Sequence, residues 1–392
     1  DQALYGLDLV ALMAGGRFQN TANMFIERME AHAKTEVSSP VSKEVESMTR
    51  ADDVMGQRLK KARRDGPDVA EHTLSTSSAG GICRVRLPSL AVFQRDYMET
   101  ATPVILTGVM DGWPALGNRD QESRDWSNPS YLRTVAGRRT VPVEFGGSYT
   151  GEEWRQELMT IGEFIGRFID EKADAEDKAI GNASTIQGDT RKGSQEETGE
   201  SSARSLESRG RSSNPNGRPR PIGAKDTAYL AQHQLFDQIP ALRRDIMTPD
   251  YCSLLLSDEE NDRGAASVAT NAWFGPAGTV SPLHNDPFHN LLAQVVGSKR
   301  VLMVNRTLSA AVYPRPGLMA NTSQVDAANP DLSLHPKFSD AMPLLECKLK
   351  RGEMLYIPPL FWHHIESLSV SFSVSFWWGR RRTLSEGYCI PP

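Results

Sequence analysis

The spacing of apolar and polar residues divides the chain into four stretches. Over residues 1–75 apolar positions recur at helical spacing, as in Gly6-Leu-Asp-Leu-Val-Ala-Leu-Met-Ala and Ala22-Asn-Met-Phe-Ile-Glu-Arg-Met-Glu, which predicts a helical accessory region. From residue 82 the period shortens. Arg84-Val-Arg-Leu alternates, Pro103-Val-Ile-Leu-Thr-Gly is a β-branched run closed by glycine, and Val141-Pro-Val-Glu reads as a further strand. Thr160-Ile-Gly-Glu-Phe-Ile-Gly-Arg-Phe-Ile returns to a helical stripe. Residues 171–225 lose the pattern: they are rich in Ser, Gly, Glu, Arg and Pro and almost devoid of aromatic residues. Such a stretch buries too little apolar surface to offset its ordering entropy. It predicts a disordered insertion, a solvated loop in preference to a binding tail. Residues 228–392 are dense in short strands, among them Val301-Leu-Met-Val, Met354-Leu-Tyr-Ile and the strictly alternating Ser369-Val-Ser-Phe-Ser-Val-Ser-Phe. Many short strands at close spacing predict a double-sheet barrel or jelly roll. The domain reading is therefore a helical region at 1–75 and a β-rich domain over 82–392, interrupted at 171–225.

Composition narrows the classes. The 392 residues are 39% hydrophobic with a mean hydropathy of -0.44, consistent with a packed core beside an unpacked segment. A net charge of -5 gives no global basic field for nucleic acid. Cys83, Cys252, Cys347 and Cys389 are scattered, with no CxxC pair, which argues against a disulfide framework or a cysteine zinc site and fits a reducing compartment. No apolar run is long enough to span a membrane. The chain begins at Asp1 rather than Met, which leaves room for a preceding segment.

Candidate chemistry centres on Ser281-Pro-Leu-His284-Asn-Asp286. A His-x-Asp pair on an extended segment places both side chains on one face. A distant histidine would complete two imidazoles and one carboxylate around a metal, with positions left open as non-haem iron oxygenases require. A lone HxD is usually accidental, but Gly352-Glu-Met-Leu-Tyr-Ile-Pro-Pro-Leu-Phe-Trp-His363-His364 follows: a turn, a strand, a proline corner and a strand opened by histidine. Periodicity does not decide between His363 and His364, of which only one can point inward. Lys299, on a neighbouring strand, is either a cation for a co-substrate carboxylate or a solvated hairpin lysine.

The run Asn271-Ala-Trp-Phe-Gly-Pro-Ala-Gly-Thr-Val-Ser-Pro-Leu-His-Asn-Asp-Pro strongly resembles the jumonji-C oxygenases, with support from Tyr229-Leu-Ala-Gln-His-Gln-Leu-Phe-Asp-Gln-Ile-Pro, Asn321-Thr-Ser-Gln-Val-Asp and Ser371-Phe-Ser-Val-Ser-Phe-Trp-Trp. The resemblance covers about residues 82–170 and 226–380. It implies a mainly β fold: a double-stranded β-helix of cupin-like JmjC type with surrounding helices. It implies iron(II) on His284, Asp286 and His363, with His364 turned away. It implies 2-oxoglutarate contacts at Tyr229, Ser281, Asn290 and Lys299, and dioxygen as the second co-substrate. Glu144, Gln232, Trp273 and Trp377 are its substrate-facing candidates, each as readily structural. The implied activity is hydroxylation of a protein side chain, arginine first, with histone methyl-lysine demethylation as the alternative. The implied partner is a protein or peptide, histone, ribosomal or chromatin-associated, in the nucleus with a cytoplasmic share. A non-catalytic metal-binding scaffold remains the competing class, since fold alone does not give function. The insertion at 171–225 and a shorter expansion near Ser257 depart from the family pattern without touching a candidate ligand.

Overall fold

Alternating residues with both faces buried build the wall of the molecule. In the C-terminal strand Phe372, Val374 and Phe376 enter one hydrophobic core, while Ser371, Ser373 and Ser375 on the opposite face are equally buried. The serines are satisfied by side chains: Gln294 Nε2 donates to Ser371 Oγ at 2.8 Å, Ser373 Oγ donates to Gln294 Oε1 at 2.8 Å, and Trp273 Nε1 donates to Ser375 Oγ at 2.9 Å. Buried polar groups persist where each finds such a partner.

The structure, a computed structural model, describes residues 81–382 except 118–123, 148, 152, 171–226, 258–263 and 265. The helical region expected at 1–75 and the insertion expected at 171–225 lie outside the described residues. The strands are β1 (Arg84–Arg86), β2 (Val104–Thr107), β3 (Thr140–Phe145), β4 (Arg155–Thr160), β5 (Ala228–His233), β6 (Ala269–Gly275), β7 (Val280–His284), β8 (His289–Val296), β9 (Ser298–Val304), β10 (Leu345–Lys350), β11 (Glu353–Ile357), β12 (Trp362–Ser367) and β13 (Ser371–Trp378). They form a major sheet in the order β1-β2-β11-β8-β13-β6-β5-β3-β4 and a minor sheet in the order β10-β9-β12-β7. The mainly β, jelly-roll fold expected from the sequence is the fold observed. The expected helix after Thr160 also forms, opened by a capping box in which Thr160 and Glu163 bond each other's backbone N–H.

Three apolar clusters define the layers. One lies between the sheets and joins Ile105, Leu292, Leu355 and Ile357 of the major sheet to Val301, Met303 and Ile365 of the minor. A second covers the outer face of the major sheet and includes Phe93, Phe164 and Trp378. The third covers part of the outer face of the minor sheet, where Leu302, Val304 and Trp362 meet Val312, Val325 and Phe338 of the 306–341 segment. The chain passes from β8 in one sheet to β9 in the other through Gly297, at φ 72°. A Cβ there would lie 2.0 Å from the Val370 carbonyl oxygen, so glycine is required at this turn. The turn sets the phase of β9, and with it the side to which Lys299 points.

Candidate active site

The centre of the site is built by one antiparallel pair. His363 of β12 lies opposite His284 of β7, and their rings are 4.2 Å apart between centroids. Both lie on the inner side of the minor sheet. The β7–β12 ladder shifts register between His363 and Ile365, and so Ser281 faces Ile365 while His284 faces His363. Asp286 arrives differently from the strand geometry expected of an HxD pair: β7 ends at His284, and Asp286 belongs to the link into β8. Its position is fixed by the backbone, because the Leu360 N–H donates to the Asp286 carbonyl at 2.7 Å. Leu360 itself holds φ 63° in the proline corner before β12, so one corner places both the carboxylate and His363.

The hydrogen bonds settle which ring nitrogens face inward. His284 Nδ1 lies 2.7 Å from the Pro282 carbonyl oxygen, and His363 Nδ1 lies 2.9 Å from that of Phe361. A carbonyl only accepts, so each Nδ1 carries the proton and each Nε2 keeps its lone pair. Those Nε2 atoms sit 3.9 Å (His284) and 3.5 Å (His363) from Asp286 Oδ2, and all three ligand atoms lie within 4.8 Å of one another. Burial, reinforced by the neighbouring His363, pushes His284 down to about 4. Burial works against ionisation of Asp286, but the adjoining His363 and His284 side chains hold its carboxyl below the usual range. The result at neutral pH is a neutral His284 imidazole and an ionised carboxylate. Two imidazole nitrogens and one carboxylate oxygen are the donor set of a non-haem iron(II) site, and the residues present fit that ion.

The deep end of the cavity holds a buried lysine. Lys299 is 2% exposed, and its Nζ donates to Tyr229 Oη at 2.9 Å. No carboxylate among the described residues pairs with it, and burial pushes the ammonium down to about 7. The solvated-hairpin reading of this lysine is thereby excluded. Tyr229 is held in its protonated form, its hydroxyl raised by burial. Lys299, Tyr229, Ser281, Asn290 and Trp273 share one narrow pocket with the His284–Asp286–His363 cluster. Asn290 Oδ1 is buried there with no hydrogen-bond partner from the protein. A buried amine without a carboxylate partner, beside uncommitted polar atoms, fits an acidic ligand that would favour its ammonium form and bridge to the metal position.

A wider cavity of about 270 Å³ opens from the same residues toward Glu144, Gln232 and Trp273. Glu144 stands across the β3–β5 pair from Tyr229. Its carboxyl is raised by burial, against the opposing Trp154 Nε1 hydrogen bond at 3.3 Å. Gln232 takes φ 44° where the β5–β6 pairing shifts register, a backbone position uncommon for a residue with a Cβ. Trp377 is the one candidate outside this assembly: it lines neither cavity and stacks on Phe288 at 6.0 Å. Sequence reasoning missed Tyr149, Asn321 and Thr322, which complete the wall. Tyr149 and Thr322 meet through their hydroxyls at 3.2 Å. The Asn321 segment was readable as part of a family pattern, but nothing in its spacing signals that it pairs with β7, which it does through the Ser323 N–H and the Leu283 carbonyl at 2.8 Å.

Comparison with known proteins agrees with this architecture. Residues 89–383 match the model of a family described as a cupin-like domain. The chain is 41% identical over 296 residues to "Lysine-specific demethylase 8" of Danio rerio, covering 75% of this chain and 57% of that protein. It is 39% identical to "Lysine-specific demethylase JMJ30" of Arabidopsis thaliana, covering 74% and 54%. It is 36% identical to "Jumonji C domain-containing protein 5" of Drosophila melanogaster, covering 80% and 63%. The chain thus spans little more than half the length of these relatives.

Proposed function

The chain belongs to the cupin-like jumonji-C family, and from that premise we propose that it is an iron(II)- and 2-oxoglutarate-dependent dioxygenase that hydroxylates a protein side chain, arginine first. The observation that carries the reading is the convergence of three ligand atoms on one point, 4.8 Å or less apart, in a cavity whose far end holds an unpaired lysine. When bound, iron(II) with 2-oxoglutarate and dioxygen supplies the oxidising chemistry that converts C–H to C–OH. The protein supplies placement. His284 and His363 present Nε2 because their Nδ1 protons are engaged by backbone carbonyls. Lys299 and the Tyr229 hydroxyl receive the distal carboxylate of the 2-oxo acid, with Ser281 and Asn290 alongside. Burial of this pocket keeps water from the reacting carbon.

Glu144 favours arginine as the target. A guanidinium matches a carboxylate with two parallel hydrogen bonds, and Trp273 offers an aromatic wall in the same cavity. A second reading, demethylation of methyl-lysine, is supported by the printed names of two relatives and by that aromatic wall, since methylated ammonium groups favour aromatic faces. The two separate by mass spectrometry after incubation with iron(II), ascorbate and 2-oxoglutarate. Hydroxylation predicts a gain of one oxygen on unmethylated arginine peptides, and demethylation predicts loss of methyl from methyl-lysine peptides. If neither peptide changes and no succinate forms while metal is bound, the chain is a metal-binding scaffold.

A further inference from the structure

The outer face of the minor sheet carries a second cavity, of about 670 Å³, which the chemistry above does not use. Its floor is the reverse side of β12. His364 follows a metal-ligand candidate in sequence but points the opposite way, into this cavity, and is only 3% exposed. Neither of its ring nitrogens meets a hydrogen-bond partner from the protein. An imidazole so buried takes its partners from whatever fills the cavity.

Charge narrows the occupant. Arg300 and Arg315 line the space together with Asp326 and Glu366. Arg300 is committed, since its Nε donates to Glu346 at 2.7 Å. Arg315 Nε donates to the Ser323 carbonyl at 3.2 Å. Neither Asp326 nor Glu366 takes part in a side-chain ion pair among the described residues. Glu366 also stands across the β9–β12 pair from Arg300, and Glu346 binds the same guanidinium, so three carboxylates meet two guanidinium groups, a balance that favours a positive ligand.

The cavity adjoins the catalytic one across a single ridge. Tyr149 and Thr322, bridged at 3.2 Å, line the inner side. Their chain neighbours Thr150 and Ser323 line the outer side, and Val280 lines both. A polypeptide with one side chain in the catalytic cavity would cross this ridge and lay a nearby side chain in the outer cavity. We propose that the outer cavity is a subsite for a positively charged side chain of the same polypeptide substrate, flanking the residue that is oxidised. The proposal rests on the reading of the chain as a protein hydroxylase.

The test reads binding without turnover. Fluorescence polarisation would measure labelled arginine-centred peptides, each flanking position changed in turn to Lys, Ala or Glu, against the full chain loaded with manganese(II) and 2-oxoglutarate. Lysine at one flanking position is expected to tighten binding on the order of 10-fold over alanine, the size of one hydrogen bond to a charged group. Glutamate there is expected to weaken it. In the Glu366→Gln, Asp326→Asn double variant the lysine preference is expected to fall below about 2-fold, with the alanine peptide unaffected. Glu366→Gln alone serves if the double variant does not fold. A lysine preference that survives the variants, no preference at any position, or no binding by any peptide overturns the subsite. Binding with the expected preference but no hydroxylation leaves the subsite standing and removes the hydroxylase reading instead.

Discussion

The minor sheet has two faces of opposite character, and two pairs of adjacent basic residues show the difference. On β12 His363 points between the sheets and His364 points outward; on β9 Lys299 points between the sheets and Arg300 outward. Inside, His363 has one nitrogen fixed by a carbonyl and the other aimed at Asp286. Outside, His364 has neither nitrogen engaged by the protein. Inside, Lys299 is buried with no carboxylate; outside, Arg300 is paired with Glu346 and part-exposed. A shift of one position along either strand would exchange the two residues of each pair and put each on the wrong side. The strand period of two therefore does more than divide polar from apolar here: it assigns chemistry to a side.

The largest expected effect breaks the comparison at the histidines. His363→Ala removes a ligand and is expected to weaken iron(II) binding by more than about 100-fold, beyond the 10–100-fold loss typical of residues that only orient ligands. His364→Leu is expected to leave iron affinity within about 3-fold, because its ring lies on the other side of the sheet. Titration of each variant with iron(II) under anaerobic conditions measures both. Equal losses would mean that the side assignment of β12 is wrong.

How far this was legible in the sequence follows the same logic. The HxD pair and the proline corner pointed to the His284–Asp286–His363 cluster, and the alternation of Ser369 to Phe376 announced a strand. Periodicity alone left His363 and His364 tied, because either phase satisfies a period of two. The tie is broken by register with β7, where His363 meets His284, and register is a property of two strands about 80 residues apart rather than of either one. Lys299 was ambiguous for a related reason. A lysine two residues after a glycine turn reads as solvent-exposed, and only the crossing from major to minor sheet at Gly297 turns it inward. Asp286 was placed correctly beside His284 for a reason that does not hold, since the strand ends before it. Tyr149 carried no signal and Thr322 only a place in a family-like segment, because both reach the cavity from loops whose course depends on the finished barrel.

The next effect sharpens the contrast on β9. Lys299→Met is expected to weaken 2-oxoglutarate binding about 30-fold or more, since removing one partner of a buried charge pair costs roughly 2–5 kcal/mol. Arg300→Met is expected to change it by less than about 2-fold, because a part-exposed ion pair such as that with Glu346 contributes little and lies on the other face. Displacement titrations on the manganese(II)-loaded chain would separate them. A comparable loss in both variants would indicate that the co-substrate does not occupy the inner pocket.

The smallest expected effect follows from the protonation of Lys299. Burial lowers its ammonium from 10.5 to about 7. The folded value lies below the unfolded one, so in the ligand-free protein the stability tied to a neutral lysine is complete above 10.5 and is lost as the pH falls through 7. Unliganded stability attributable to this group therefore rises with pH across that window. A bound carboxylate reverses the preference, because an opposite charge favours the ammonium. Binding of 2-oxoglutarate should then take up protons: about 0.5 at pH 7, close to 1 at pH 8 and about 0.1 at pH 6, with affinity falling as pH rises above 7. Calorimetry of 2-oxoglutarate binding to the manganese(II)-loaded chain in two buffers of different ionisation heat gives the proton count. In Lys299→Met the uptake at pH 8 should vanish while any contribution from the metal ligands persists, so the difference between the two chains isolates the lysine. A proton count that is the same in both chains, or flat between pH 6 and 8, would show that Lys299 already carries its charge in the free protein, and the inner face would then differ from the outer in geometry but not in charge state.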